Sequence, residues 1–304
     1  MAQQWDVFVK ASKNGTFLFC RGYMDYHADR FQDNSLIFTN DNGEWEAILP
    51  ANIDSDNRLV SHEGLTYGGF VMLPQTRAWQ PLRWFDALQS HAAQHGIASL
   101  SYRPTPYIYH TLPADEDLYA LFRNNARQEV CNLSSAVKLP DGIASRLGKR
   151  AEKRARRYGV TVEPTDNVAD FWQIIVDDRQ RRHNITPVHN LAEMTLLHSR
   201  FPENIRLYVA RCNGQIVAGA VLYVMPRSGV LHLQYAAAAE SAQKLYAVDA
   251  IYHRIVFDDY SDYKYFDFGI SNEQAGRWLN TNMTDHKEEF GARSIIYQSF
   301  KLDF

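Results

Sequence analysis

A lysine, an aspartate and two small polar residues fall within one stretch near the C-terminus, Y-F-D-F-G-I-S-N, followed after a loop by T-D-H-K-E-E-F-G. Asp267, Ser271, Asn272 and Lys287 could converge where a short aromatic strand ends at Gly269. Strand ends that open into polar loops are where α/β proteins commonly place ligand chemistry. An ammonium there can stabilise a developing oxyanion, and a carboxylate can relay a proton. The same residues would equally serve a β-bulge and a solvated surface loop, with Asp267 capping the turn.

A second feature is cationic. Over residues 141–158 (D-G-I-A-S-R-L-G-K-R-A-E-K-R-A-R-R-Y) helical spacing gathers Arg146, Lys149, Arg150, Lys153, Arg154, Arg156 and Arg157 into a sector of about 160°. Leu147, Ala151, Ala155 and Tyr158 fall on the adjoining sector, and Glu152 is the one carboxylate among residues 146–158. Such a face suggests a phosphate-bearing partner, with Arg150, Arg154 and Arg157 as its contacts, or else a solvated helix joining two domains. Elsewhere Arg21 and Tyr26, His62 and Tyr67 beside Gly64, Gly68 and Gly69, and Tyr235 are candidate substrate contacts; for His62 and Tyr67 a structural role near a bulge is the alternative.

Composition bounds what these residues can belong to. At 304 residues the chain suits two domains, and 45% apolar with 22% charged residues describes a globular protein. A net charge of −3 gives no overall attraction to nucleic acid or anionic membrane, so any such binding has to be local. Cys20, Cys131 and Cys212 have no metal-ligand spacing and read as buried thiols in a reducing cytoplasm; no metal site is expected. No secretory leader or spanning apolar run is evident, which places the protein in the cytoplasm with no transmembrane segment.

The elements that must position these groups alternate between sheet and helix. In the first half, strands are expected at 17–20, 35–40, 45–52, 99–103 and 107–111, with Asp41-Asn42-Gly43 as a hairpin turn. Helices are expected at 21–31, 79–94 (stopped by His95-Gly96) and 118–123. The second half reads as a strand at V-T-V-E, helices at 171–182 and 191–200, then a three-stranded meander turning at Asn213-Gly214 and Arg227-Ser228-Gly229. A helix over 242–257, a strand at 264–268, a helical turn before Lys287 and a last strand, S-I-I-Y-Q-S-F-K-L, complete it.

That order, with R-L-G-K-R-A-E-K-R-A-R-R-Y-G-V-T-V, Y-F-D-F-G and H-K-E-E-F-G at these spacings, resembles the FemAB family of paired GNAT (acyl-CoA N-acyltransferase) units. The resemblance covers nearly the whole chain. It implies an α/β (α+β) fold of two tandem GNAT-like domains, each a mixed, mostly antiparallel sheet flanked by helices. The domains would be 1–140 and 159–304, joined by the basic helix 141–158. It also implies transfer of an acyl or aminoacyl group to an amine of a cell-envelope precursor, peptidoglycan or polysaccharide, free or lipid-linked. An acceptor groove would lie between the Gly64–Gly69 loop and the second domain. The donor would be aminoacyl-tRNA or acyl-CoA, tRNA then being a partner. Lys287 matches the family's tail lysine, which sits where charge develops on the acyl carbonyl. GNAT enzymes cradle a pyrophosphate in a Gln/Arg-x-x-Gly-x-Gly/Ala loop; here the junction is A-A-A-E-S-A-Q-K-L-Y, without glycine, leaving Ser241 to cap the helix and Lys244 to meet the anion. An acyl-CoA-dependent N-acetyltransferase of small amines, or a non-catalytic binder of a phosphorylated glycan or RNA, are the competing readings.

Overall fold

The computed structural model describes residues 1–140 and 146–304, and their side chains except those of 146–151 and 183. The expected start of the basic helix, 141–145, and the side chain of Arg150 lie outside the described residues. In chain order the strands are β1 (Gln32–Asp33), β2 (Leu36–Thr39), β3 (Trp45–Leu49), β4 (Asn52–Ile53), β5 (Leu59–Val60), β6 (Val71–Met72), β7 (Ser99–Tyr102) and β8 (Arg127–Lys138). They continue with β9 (Thr161–Thr165), β10 (Ile205–Cys212), β11 (Gln215–Met225), β12 (Val230–Ala238), β13 (Tyr265–Ile270), β14 (Asn272–Glu273), β15 (Trp278–Leu279) and β16 (Arg293–Asp303). The helices are α1 (Ala2–Ala11), α2 (Arg21–Met24), α3 (Gln80–His95), α4 (Glu116–Arg123), α5 (Arg146–Arg157), α6 (Ala169–His183), α7 (Leu191–Arg200), α8 (Ala247–His253) and α9 (Thr281–Glu289).

The chain forms two compact units: residues 1–133, 272–279 and 295–304 make the first, and 134–271 with 280–294 the second. The sequence reading draws the units as 1–140 and 159–304, joined by 141–158. The last strand pairs antiparallel with β7, from Phe300 opposite Tyr102 to Asp303 opposite Ser99, so it completes the first unit's sheet. In that unit β7 is also parallel to β5, which leads through β4 to β1. A separate antiparallel sheet joins β2, β3 and β6. The apolar face of α3 (Trp84, Phe85, Leu88) closes the core with Phe70, Leu100 and Tyr102, and Gly96 in the left-handed conformation ends the helix.

In the second unit the order is β8–β13–β12–β11–β10–β9, and every pairing is antiparallel except β12 with β13. One face packs α6 against β11 and β12. Gly219 permits this contact: a Cβ there would stand 2.2 Å from the Phe171 ring. Core residues of β11, β12 and β13 (Leu222, Leu231, Phe266) cluster with Ala155 of α5 and with Ala250 and Ile251 of α8. So α5 is a docked helix, as its small residues implied, with Lys153, Arg154, Arg156 and Arg157 exposed.

Four expected elements differ. The apolar runs at 17–20 and 107–111 form 3-10 turns, not strands, at Phe17–Phe19 and Tyr107–Tyr109. Aromatic composition suits a strand only where one face packs on a sheet, and Phe17, Leu18 and Phe19 are buried on every side. The expected 21–31 helix is one α turn followed by a 3-10 turn. The expected 242–257 helix is a 3-10 segment, a left-handed Tyr246 (φ 57°), the two-turn α8 and a π-helical turn at Arg254–Asp259. Of the cysteines, Cys20 alone is buried, Cys131 is exposed and Cys212 half-buried. No described helix is long and apolar enough to cross a membrane.

Candidate functional site

The parallel register of β12 and β13 is short. It runs through Val230–Tyr265 and Leu231–Phe266 to His232–Asp267, and past that pair the strands part. Strand β12 continues to Ala238 against β11, while β13 stays with β8, where Ile270 pairs with Ser134 across an irregularity after Asp267. Among the described residues, 233–238 therefore have no strand partner on the β13 side. An unpaired strand edge presents N–H and C=O groups to whatever enters beside it.

The split opens beside a buried acid–imidazole pair. Asp267 is fully buried and His232 nearly so, with His232 Nδ1 3.1 Å from Asp267 Oδ2. The other carboxylate oxygen accepts from Ser134 Oγ at 2.6 Å and from the Gly269 N–H at 2.9 Å. Asp267 thus caps its turn and also orients an imidazole. Held by these donors, the carboxylate is fixed in place and orients the His232 ring through Nδ1. A proton relay through Asp267 alone, as entertained from sequence, is less apt than one through the histidine it holds.

Gly269 joins this pair to Lys287. Its φ of 77° is open to glycine and strained for other residues, and it turns the carbonyl away from the strand. That carbonyl accepts from Lys287 Nζ at 2.7 Å; the Ile270 carbonyl and Ser271 Oγ accept at 3.0 and 2.8 Å. Lys287 is 7% exposed, so the ammonium is inside the protein with all three protons engaged. An acyl oxygen can be served only in place of one of these acceptors, Ser271 Oγ being the one side chain among them. Burial lowers the Lys287 pKa to about 8; Asp267 works against the shift and Arg179 adds to it.

This shift has a stability consequence. An amine whose folded pKa lies below its unfolded value disfavours the folded state while it is protonated. The penalty fades as pH rises from about 8 towards the ordinary value of 10.5. Urea unfolding at pH 8, 9 and 10 should show wild type gaining stability relative to Lys287→Met across this window. A constant difference between the two would refute the buried ammonium.

Tyr235 lies on the same face of β12 as His232, because a bulge at Gln234 resets the alternation. Its hydroxyl is 2.8 Å from His189 Nδ1, its ring packs edge-on against Trp172, and the Arg179 guanidinium lies 5.9 Å over it. Hence Lys287, Asp267, Ser271 and Tyr235, all singled out in the sequence, fall in one unit with Arg179, His189 and His232. The last three were not foreseen.

Other sequence candidates have local roles. Asn272 belongs to the first unit, where its Oδ1 accepts from the Leu133 N–H at 2.5 Å. In that unit Arg21 forms ion pairs with Asp25 and Asp33, and Tyr26 stacks on His27 at 4.2 Å, which in turn stacks on His62 at 5.1 Å. Burial lowers the His62 pKa to about 3, so its ring is neutral. Tyr67 is 2% exposed, between the Phe19 and Tyr109 rings; core packing, not an open groove, accounts for it. Ser241 caps nothing, since the 3-10 segment starts from Ala239 without a side-chain bond. Instead Arg154 of α5 bonds to the Tyr246 hydroxyl at 2.8 Å and lies 5.1 Å over its ring, beside the start of α8, with Lys244 and Arg157 exposed.

Comparison with known proteins places this geometry. Residues 145–287 match the acetyltransferase (GNAT) domain family. The crystal structure of FemX aligns with a TM-score of 0.71 at 10% identity, over 100% of this chain and 96% of that one. The structure of L-PGS from Bacillus licheniformis aligns at 0.62 and 14% identity, over 98% and 90% of the two chains. A tandem GNAT protein from the clavulanic acid biosynthesis pathway aligns at 0.52 and 11%, over 99% and 94%. No curated protein matches the chain. At such identities the likeness is one of fold, two GNAT-like units in tandem.

Proposed function

We propose that this chain, whose residues 145–287 match a GNAT domain and whose fold is that of two GNAT-like units in tandem, moves an acyl or aminoacyl group onto an amine of a cell-envelope precursor. The observation that carries this reading is the parting of β12 and β13 immediately after the His232–Asp267 pair. An extended, amide-bearing donor arm laid along 233–238 would bring its reactive carbonyl next to a positioned base, which is the proximity that acyl transfer needs.

In this reading His232 takes the proton that the amine nitrogen loses as it bonds to the acyl carbon, and Asp267 steadies the imidazolium. The bond from acyl carbon to the donor's sulfur or oxygen then breaks, and the leaving thiolate or alkoxide takes up a proton. Lys287 balances the negative charge on the carbonyl oxygen at the tetrahedral stage by exchanging its bond to Ser271. The exposed Arg154, Arg157 and Lys244 beside Tyr246 would meet the donor's phosphates. GNAT domains in general use acyl-CoA, which makes it the first donor to test; aminoacyl-tRNA is the alternative that the FemAB resemblance brings.

Hydrogen exchange of the protein with and without donor checks the placement. Acyl-CoA or aminoacyl-tRNA should slow exchange of the amides at 233–238. If neither donor protects that edge, the proposed binding mode fails.

A further inference from the structure

On the face of β13 opposite Asp267, Phe266 and Phe268 line a small pocket with Tyr252 and Phe257, closed at one side by Phe290. It is partly open to solvent, with a volume of about 20 Å³ within about 300 Å³ of empty space. The walls are fixed by ring packing. Tyr252 meets Phe266, Phe268 and Phe290 at 5.7, 5.3 and 5.5 Å, and Phe266 meets Phe268 at 4.8 Å. Phe257 comes from the π-helical turn after α8, a distortion that proteins often keep at functional sites.

The lining holds one carboxylate, Asp249, and one imidazole, His253, whose ring lies 4.6 Å from that of Phe257. Asp249 is three residues before Tyr252 on α8 and so on the same wall, half-buried, and makes no hydrogen bond or ion pair among the described residues. A carboxylate set among rings without a partner is costly, and burial raises its pKa; His286 opposes that shift and Glu289 adds to it. Aromatic faces are negative, as is the carboxylate, so both attract the same kind of ligand.

We propose that this pocket is a binding site for an ammonium group carried on a small apolar chain, with the nitrogen paired to Asp249 and the adjoining carbons against Tyr252, Phe268 and Phe290. A space this size admits about one small head group, while the rest of the ligand lies in the opening. Anions are repelled by both components, and a neutral analogue forgoes the charge contact. The site stands on its own residues, whether or not the other face of β13 transfers acyl groups.

Three probes of matched shape test it: n-butylammonium, 1-butanol and butyrate, each titrated into the intact protein while the Phe268 and Phe290 ring signals are followed by NMR. The cation should bind saturably and roughly tenfold or more tighter than the alcohol, the size expected of a charge-assisted contact with cation–π support. Asp249→Asn should abolish that preference while leaving weak binding of the alcohol. Absence of saturable n-butylammonium binding, or equal affinity for cation and alcohol in wild type, would overturn the proposal. The wild-type comparison decides the matter even if Asp249→Asn does not fold.

Discussion

Replacing His232 with glutamine should lower turnover by about 10²- to 10⁴-fold, the range that a positioned general base supplies. Glutamine is close to histidine in size but has no lone pair of imidazole basicity, so the proton acceptor is lost without opening a cavity. The readout is kcat at saturating donor and amine, with the variant's fold checked by circular dichroism. Asp267→Asn should share the kinetic loss because an amide stabilises no imidazolium and accepts from fewer donors. Asp267→Ala should in addition cost about 3–5 kcal/mol of stability, as expected when a buried, hydrogen-bonded charge partner is removed. Ser134 Oγ, the Gly269 N–H and His232 Nδ1 would all lose an acceptor. If His232→Gln turned over like wild type, the imidazole would not be the base.

The second large effect concerns Lys287. Its replacement by alanine should reduce turnover roughly 100-fold or more, the size seen when one oxyanion donor is lost. Because all three ammonium protons are engaged at rest, Ser271→Ala separates two roles. If Lys287 turns to the acyl oxygen, removing Ser271 Oγ frees one donor and turnover should hold or rise. If Lys287 only pins the loop after Gly269, Ser271→Ala should reduce turnover in the same sense as Lys287→Ala. With the lysine pKa near 8, a charge-dependent role also makes turnover fall as pH rises beyond that value.

How far the sequence reveals this site depends on the residue. Asp267, Gly269 and Lys287 were legible because a strand, a glycine and a lysine at fixed spacing mark a strand end and what faces it. The meander was legible because Asn213 and Gly214 adopt the positive φ that the turn demands, at 51° and 78°. His232 was not. In a regular strand it would point away from Tyr235, three positions on, and only the bulge at Gln234 puts the two on one face. Its bond to Asp267, 35 residues away, leaves no local trace. The strand Arg127–Lys138 escaped notice because its first half is mostly exposed and carries no alternation. The basic helix was legible as a face, but that Arg154 rests on Tyr246 follows from how α5 packs on α8, which spacing does not encode. The return of the final strand to the first unit, through pairing with β7, leaves no mark in local sequence pattern.

The most direct test of acyl transfer at the β12–β13 split is a product assay. Purified protein is incubated with labelled acyl-CoA or aminoacyl-tRNA and an amine-bearing envelope precursor, and the acylated amine is identified by mass spectrometry for wild type and His232→Gln. Label on the amine with wild type, reduced at least a hundredfold in the variant, is the expected result. Label on the amine to the same extent in both, or on neither with either donor, would contradict it.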